Sequence, residues 1–183
     1  MSENTPNANG NQWHKIVNLL SEKNLTIATM ESCTGGGVAN AITSVSGASS
    51  VIKESYITYC NESKIKQGVP ADIIAKFSVY SKETAEAMAN AVKKQANSDF
   101  GVGVTGQLGR IDPNNPVDKL NCVWYAIINQ KNQAVVKMLN VPNEDRPFQK
   151  EFVIRDISDS LLDILKNWIR YNKALIIREV LYL

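Results

Sequence analysis

Between residues 12 and 106 the spacing of apolar residues switches repeatedly between a helical period and short strand-like runs. That alternation restricts the chain to folds that layer helices against a sheet. Trp13, Ile16, Val17, Leu19 and Leu20 in QWHKIVNLLSEKN (12–24) make one helical stripe. LTIATM (25–30) reads as a short buried strand, and GGGVANAITSV begins a helix. VSGASSVIKES reads as a loop and connector, and SYITYC (55–60) alternates as a second strand. NESKIKQGVP and ADIIAKF carry short helical turns. SKETAEAMANAVKKQA (81–96) is the clearest helix, with Ser81 and Thr84 set as an N-cap and Ala85, Met88, Ala89 and Val92 as its buried stripe. DFGVGVTG (99–106) is a strand running into a glycine turn, and 107–119 is a loop.

NCVWYAIIN and QAVVKMLNV are two strands joined around QKNQ, which suits a hairpin. Residues 145–171 form a long amphipathic helix beginning near Pro147. Phe148, Phe152, Ile157, Leu161, Leu165 and Trp168 lie close to one of its faces. Alternation first and adjacent strands later predict an α/β chain, a three-layer α/β/α sandwich with a mainly parallel, mixed sheet. At 183 residues the chain suits one domain, spanning 12–183, after a flexible N-terminal segment at 1–11.

Bulk properties exclude several classes. A net charge of +2 without a basic cluster argues against nucleic acid as a partner. Cys33, Cys60 and Cys122 are widely spaced and form no CxxC, so neither a zinc knuckle nor a disulfide framework is indicated, and a cytoplasmic setting is expected. MSENTPNANGNQ lacks the regions of a signal peptide, and no apolar run has bilayer length, so no membrane partner is expected. A single histidine, His14, rules out a multi-histidine metal site. The closing NKALIIREVLYL is apolar enough to be an association surface, which predicts a homo-oligomer, dimer or larger; a continued core helix is the alternative.

The segment ATMESCTGGGVANAI (28–42) carries the functional question. An apolar run stops, Glu31, Ser32, Cys33 and Thr34 follow, and three glycines lead into a helix. Backbone N–H groups at a helix start can hold a phosphate or an oxyanion. The spacing fits neither a Walker loop nor GxGxxG. On chemistry alone, a capped helix start explains the segment as well as a catalytic loop does. Two further polar clusters shift the balance: Tyr59, Asn61 and Lys64 end one expected strand, and Thr105 ends another. Three such clusters at the carboxyl ends of strands converge on one side of a sheet, where ligands gather in open α/β folds.

TMESCTGGGVANAITSVSGASS, YITYCNESKIKQGV, YSKETAEAMA and GVTG resemble, in order, the motifs of the CinA C-terminal domain family, competence/damage-inducible proteins whose active members are nicotinamide mononucleotide deamidases. The resemblance runs from about Trp13 to about Trp168. It implies a stand-alone form, without the molybdopterin-binding-like domain of many members, that hydrolyses the carboxamide of nicotinamide mononucleotide to the acid and ammonia in pyridine nucleotide salvage. No metal or organic cofactor is implied. By resemblance Ser32 is the nucleophile, Lys64 the basic lysine and Tyr59 the site tyrosine. Ser49 matches a small hydroxyl residue, Thr105 the threonine of the TG turn, and Arg146 an arginine before the last long helix. Thr34, Gly35, Gly36, Asn61 and Gly106 complete the implied substrate-binding set.

The residue chemistry fits these roles independently. A serine hydroxyl needs a base within hydrogen-bond reach, and with one histidine in the chain lysine is the available strong base. Free lysine has a pKa of about 10.4, so burial or a neighbouring cation, with Arg146 as a candidate, has to lower it. Cys33 is a rival nucleophile but is expected to be packed and inert, and Glu31 to orient the loop or accept from Tyr59 or Lys64. The chain departs from the family after GVTG. QLGRIDPNNP stands where the family carries a stretch close to IAGPGGG, and ESYITYC replaces a usual Gly-Gly. The bulkier loop at 107–116 either narrows the pocket or lets Arg110 supply a phosphate contact. It motivates two alternatives to the deamidase: a non-catalytic nucleotide-binding or regulatory module on the same fold, and hydrolysis of a different small amide.

Overall fold

Parallel strands need crossover helices, and the sequence supplies them in the order this sheet requires. The computed structural model describes residues 8–115 and 120–180, with side chains over 12–115 and 120–168. Helix α1 (Ala8–Glu22) precedes β1 (Ile27–Glu31). Then come α2 (Gly37–Thr43), a 3₁₀ turn at Ala48–Ser50 and β2 (Ile52–Ile57). Helices α3 (Asn61–Lys66), α4 (Ala71–Phe77) and α5 (Lys82–Ala96) lead to β3 (Phe100–Gln107). The hairpin β4 (Cys122–Ile128) and β5 (Ala134–Asn140) precedes the long α6 (Arg146–Val180). The described residues build one five-stranded sheet in the order β2-β1-β3-β4-β5. β1 runs parallel to β2 and β3, while β4 pairs antiparallel with β3 and β5. This is the mixed α/β/α sandwich that the helix–strand pattern predicts.

One face of the sheet is covered by α1, α2 and α6. Their core joins Trp13, Ile16 and Leu20 of α1 to Val102, Val104, Val123 and Ile127 of the strands and to Ile157, Leu161 and Leu165 of α6. The other face is covered by α5, whose Ala85, Met88, Ala89 and Val92 are all buried. Ser81 Oγ caps α5 by accepting from the Thr84 N–H at 3.1 Å. The helix lies very close to β3. A Cβ on Gly101 would come 2.2 Å from Ala89 O, and one on Gly103 2.2 Å from Ala85 O. Glycine on the strand and alanine on the helix together permit that approach.

Two strand boundaries and one helix face differ from expectation. The second strand spans Ile52–Ile57 rather than 55–60. It is an edge strand, where an exposed Lys53 and a half-buried Glu54 are tolerated, and it pairs with β1 from Ile52 onward, so Thr58–Cys60 lie past its end. β3 does not stop at Thr105 but continues through Gln107, because Trp124, Val123 and Cys122 of β4 still pair with it there. In α6 the buried row steps by four from Gln149 through Val153, Ile157 and Leu161 to Leu165, and Phe148, one residue off that row, is 50% exposed. Of the expected N-terminal segment, residues 1–7 lie outside the described residues and 8–11 belong to α1. The backbone of α6 carries the apolar end of the chain to Val180, and the side chains that would test it as an association surface lie outside the described residues. No helix among the described residues is long and apolar enough to cross a membrane.

Candidate functional site

The carboxyl ends of β1, β2 and β3 lie side by side, and their loops enclose a cavity of about 720 Å³. Ser32 stands at its base. Its N–H still donates to Val104 O at 3.0 Å, so the sheet holds the residue that begins the turn. Gly35 and Gly36 follow with φ of +62° and +90°, which favour glycine. Gly37 opens α2 so near α6 that a Cβ would meet Ile154 Cδ1 at 2.4 Å. The three glycines thus make the turn and the helix contact; none of them lines the cavity.

Glu31 explains why the turn is fixed. Fully buried, it accepts from Thr34 Oγ1 at 2.7 Å, from the Ala39 N–H at 2.8 Å and from the Val38 N–H at 3.1 Å. The Gly37 N–H goes to Thr34 O. The first N–H groups of α2 are therefore satisfied within the turn, and the expected phosphate or oxyanion site at that helix start is not there. The N–H groups of Cys33 and Thr34 are different: they donate to no other residue among those described. They lie directly after the serine.

Lys64 reaches the same point from α3. It is 1% exposed, yet its Nζ lies 3.2 Å from Ser32 Oγ and 2.7 Å from Thr58 O. Burial pulls its pKa down to about 8. Arg146, the cation expected to do this, is not the cause. Burial pushes the Cys33 thiol the other way, up to about 12, so it stays protonated as expected of a packed, inert cysteine.

Arg146 instead bridges the mouth of the cavity. Its guanidinium donates to Tyr59 OH and to Leu108 O, both at 2.7 Å. No carboxylate among the described residues pairs with it. Asn61 donates to Asn115 Oδ1 at 3.0 Å. Asp112 gathers the opposite wall by accepting from Tyr80 OH, from Asn115 Nδ2 and from the Asn114 N–H at 2.8–2.9 Å. These donors, Asn115 first, hold its carboxyl below the usual range. Burial and the bond to Asp112 push the Tyr80 hydroxyl well above its usual pKa.

Of the residues singled out from sequence, Ser32, Cys33, Tyr59, Asn61, Gly106, Arg110 and Arg146 line the cavity, and Lys64 stands behind Ser32. The others do not line it. Thr34 is buried on Glu31. Thr105 donates to Val79 O at 2.8 Å and ties β3 to the segment before α5. Ser49 is exposed in the 3₁₀ turn that enters β2, at the opposite end of the sheet. Sequence reading missed Tyr80, whose only signal is its place just before the α5 cap. It also missed Asp112, which lies in the turn signal DPNN. Gln107 is 4% exposed in the wall, and neither of its amide atoms has a partner. Each such unmet group costs about 1–3 kcal/mol.

Comparison with known proteins speaks to the family and the fold. Residues 11–164 match the family model described as "CinA C-terminal domain". A "CinA-like protein" of Kosmotoga olearia is 46% identical over 124 residues, which is 67% of this chain and 30% of that protein. Another "CinA-like protein", from Flavobacterium psychrophilum, is 48% identical over 92 residues, 50% of this chain and 22% of that one. The chain thus spans about a third or less of these two relatives. Among solved structures, the competence/damage inducible protein CihA of Agrobacterium tumefaciens superposes with a TM-score of 0.79 at 25% identity, covering 91% of this chain and 99% of its own. The competence damage-inducible protein A of Klebsiella pneumoniae gives 0.81 at 22% identity, covering 88% and 99%, which speaks to the fold.

Proposed function

The chain belongs to the CinA C-terminal domain family, and from that premise we propose that it is an amidohydrolase that converts nicotinamide mononucleotide to nicotinic acid mononucleotide and ammonia. The observation that carries the reading is the 3.2 Å approach of a buried lysine amine to Ser32 Oγ at the base of a cavity. That cavity, about 720 Å³, falls in the range of small-molecule sites.

With a pKa of about 8, Lys64 is neutral in roughly a tenth of molecules at pH 7, hundreds of times more often than free lysine. The neutral amine takes the proton from Ser32 Oγ as the oxygen attacks the carboxamide carbon. The N–H of Cys33, on the cavity wall and bonded to no other described residue, stabilises the oxygen that becomes negative. The Lys64 ammonium then gives its proton to the departing nitrogen, which leaves as ammonia and creates an acyl-serine. Water attacks that ester with Lys64 again as base, which frees the carboxylate and restores the serine. Arg146, unpaired with any described carboxylate, and Arg110 supply positive charge for a phosphate at the cavity mouth.

Ammonia release from nicotinamide mononucleotide by the purified protein is the direct test. Ser32→Ala is expected to lower the rate by about 10³-fold or more, with an unchanged thermal midpoint. In the unsubstituted protein kcat/KM should rise with pH and level off above about 8, where Lys64 is neutral. Full activity of the alanine variant, or no ammonia from the unsubstituted protein, would overturn the reading. A panel of other primary amides in the same assay defines the substrate.

A further inference from the structure

The wall made by residues 108–115 carries a chain of polar side chains that the mechanism does not use. Asn61, Tyr80, Asp112 and Asn115 all line the cavity, and each is half-buried, held in place yet open to a ligand. Tyr80 OH donates to Asp112 Oδ2 at 2.9 Å, and Asn115 Nδ2 donates to the same oxygen at 2.8 Å. The Asn114 N–H donates to Asp112 Oδ1 at 2.9 Å. Asn61 Nδ2 donates in turn to Asn115 Oδ1 at 3.0 Å. The Asn115 N–H closes on Asp112 O at 3.2 Å, so the two residues share one tight turn. Donors are thus taken up within the wall, and acceptors are left over. An ionised carboxylate has about four lone-pair sites. Described residues fill three of those on Asp112, two on Oδ2 and one on Oδ1. Asn115 Oδ1, bonded once, keeps a second lone pair.

A wall of acceptors suits only some groups of a ligand. A phosphate presents acceptors and negative charge, so the Asp112 carboxylate repels it and it belongs with Arg110 and Arg146 in the same cavity. The carboxamide has to stand at Ser32. In a pyridine mononucleotide the donors that remain are the ribose hydroxyls. We propose that Asp112, with Asn115 beside it, reads the ribose hydroxyls of the substrate; this deepens the amidase reading above and rests on it. One hydroxyl donates to Asp112 Oδ1 and its neighbour on the sugar to Asn115 Oδ1. The first of these bonds has a charged acceptor and is the stronger. The donors already on Asp112 hold its carboxyl below the usual range and fix where its open lone pair stands. Both residues lie in QLGRIDPNNP, the stretch that stands where the resembled motif carries small residues. The preference for a complete ribose is therefore a property of this chain's own loop.

The test is calorimetric titration of nicotinamide mononucleotide and its 2′-deoxy and 3′-deoxy analogues into Ser32→Ala protein, which does not turn the amide over. It is repeated with Asp112→Asn added, which keeps the shape and removes the charge. With Asp112 in place at least one deoxy analogue is expected to bind about tenfold more weakly than the complete nucleotide. In the Asn variant the complete nucleotide should weaken about tenfold and that analogue less than about twofold, so the ratio between them falls close to one. A wall that had merely loosened would weaken all three ligands alike, and so would a lost attraction for the positively charged pyridinium ring. Either result, a ratio carried unchanged into the Asn variant, would overturn the proposal. So would a ratio near one with Asp112 in place, or no binding of any of the three, and neither outcome depends on how the variant folds. In the active protein Asp112→Asn should raise KM for nicotinamide mononucleotide about tenfold, with kcat within about threefold and KM for the analogue within about twofold. The amidase reading fails separately. An Asp112-dependent ribose preference without ammonia release by the unsubstituted protein would keep this inference and discard the amidase. Ammonia release with a ratio near one would do the reverse.

Discussion

The two walls of the cavity are built by different means. On one side Ser32, Lys64 and Gln107 hang from the ends of β1, from α3 and from β3, and backbone ladders or short helices fix each of them. On the other side residues 108–115 have no ladder of their own, and polar side chains stitch them together: Arg146 to Leu108 O, Tyr80 and Asn115 to Asp112, Asn61 to Asn115. The groups proposed to break bonds sit on rigid elements, where a displacement of an ångström is costly. Residues 108–115 of the stretch that departs from the resembled motif sit on the stitched side. Changes there can reshape what the cavity accepts without moving the serine or its base.

The largest break in that comparison comes from the rigid wall. Burial takes the Lys64 amine from the ordinary lysine pKa of 10.5 down to about 8, which costs the folded state roughly 3 kcal/mol at neutral pH. The sign follows from proton counting. Between about pH 8 and 10.4 the unfolded chain binds more protons at this residue than the folded one, so stability rises with pH through that window. Lys64→Met removes the charge and keeps the length. It is expected to abolish ammonia release, by about 10³-fold or more, while raising stability at pH 7 by about 1–3 kcal/mol and flattening that pH dependence. Thermal melts at pH 7 and pH 9.5 beside the ammonia assay check both halves. A variant that loses activity and also melts early would make Lys64 a structural residue.

The stitched wall should respond on a different axis. Asp112 accepts three hydrogen bonds from three different residues, and its own side chain is near the surface. Asp112→Ala frees Tyr80 and Asn115 and, through Asn115, loosens the hold on Asn61. The expected result is a KM raised by about 5- to 10-fold, kcat within about threefold, and a stability loss of about 1 kcal/mol or less. Steady-state kinetics with nicotinamide mononucleotide separates the two parameters. A fall in kcat matching that of the Lys64 variant would mean that the loop, too, sets the chemistry, and the contrast between the walls would be lost.

How much of this could be read in the chain follows the same division. The α5 stripe and the hairpin were legible because they rest on local signals, period and caps, whereas the pairing of Ser32 with Lys64 rested on a resemblance of motifs in fixed order. Strand ends were less so. The last residues of β3 are strand only because β4 pairs with them, and a GVTG segment alone reads as a turn. Thr34 and Thr105 look like ligand-binding hydroxyls in sequence, but one is consumed by Glu31 and the other by Val79 O, partners that only the fold brings near. Ser49 was carried by resemblance alone, and the parallel crossover sends it to the far end of β2. Gln107 reads merely as a bulkier loop residue until its buried, unmatched amide is seen.

The smallest expected effect lies where the rigid wall turns into α2, and it tests whether that turn needs its side chains or only its backbone. Cys33 is next to Ser32, the proposed nucleophile, lines the cavity and is 4% exposed. Its thiol, pushed up to about 12 by burial, holds almost no thiolate at neutral pH. Its N–H, by contrast, is the group proposed to meet the oxyanion, and any residue provides that group. Cys33→Ala should keep ammonia release within about threefold and cost about 1 kcal/mol or less for the smaller side chain. Brief treatment of the unsubstituted protein with iodoacetamide should modify the exposed Cys60 while leaving Cys33 untouched, as peptide mass mapping would show. A Cys33→Ala variant as inactive as Ser32→Ala would move the nucleophile from oxygen to sulfur, and the lysine 3.2 Å from Ser32 Oγ would then be paired with the wrong atom.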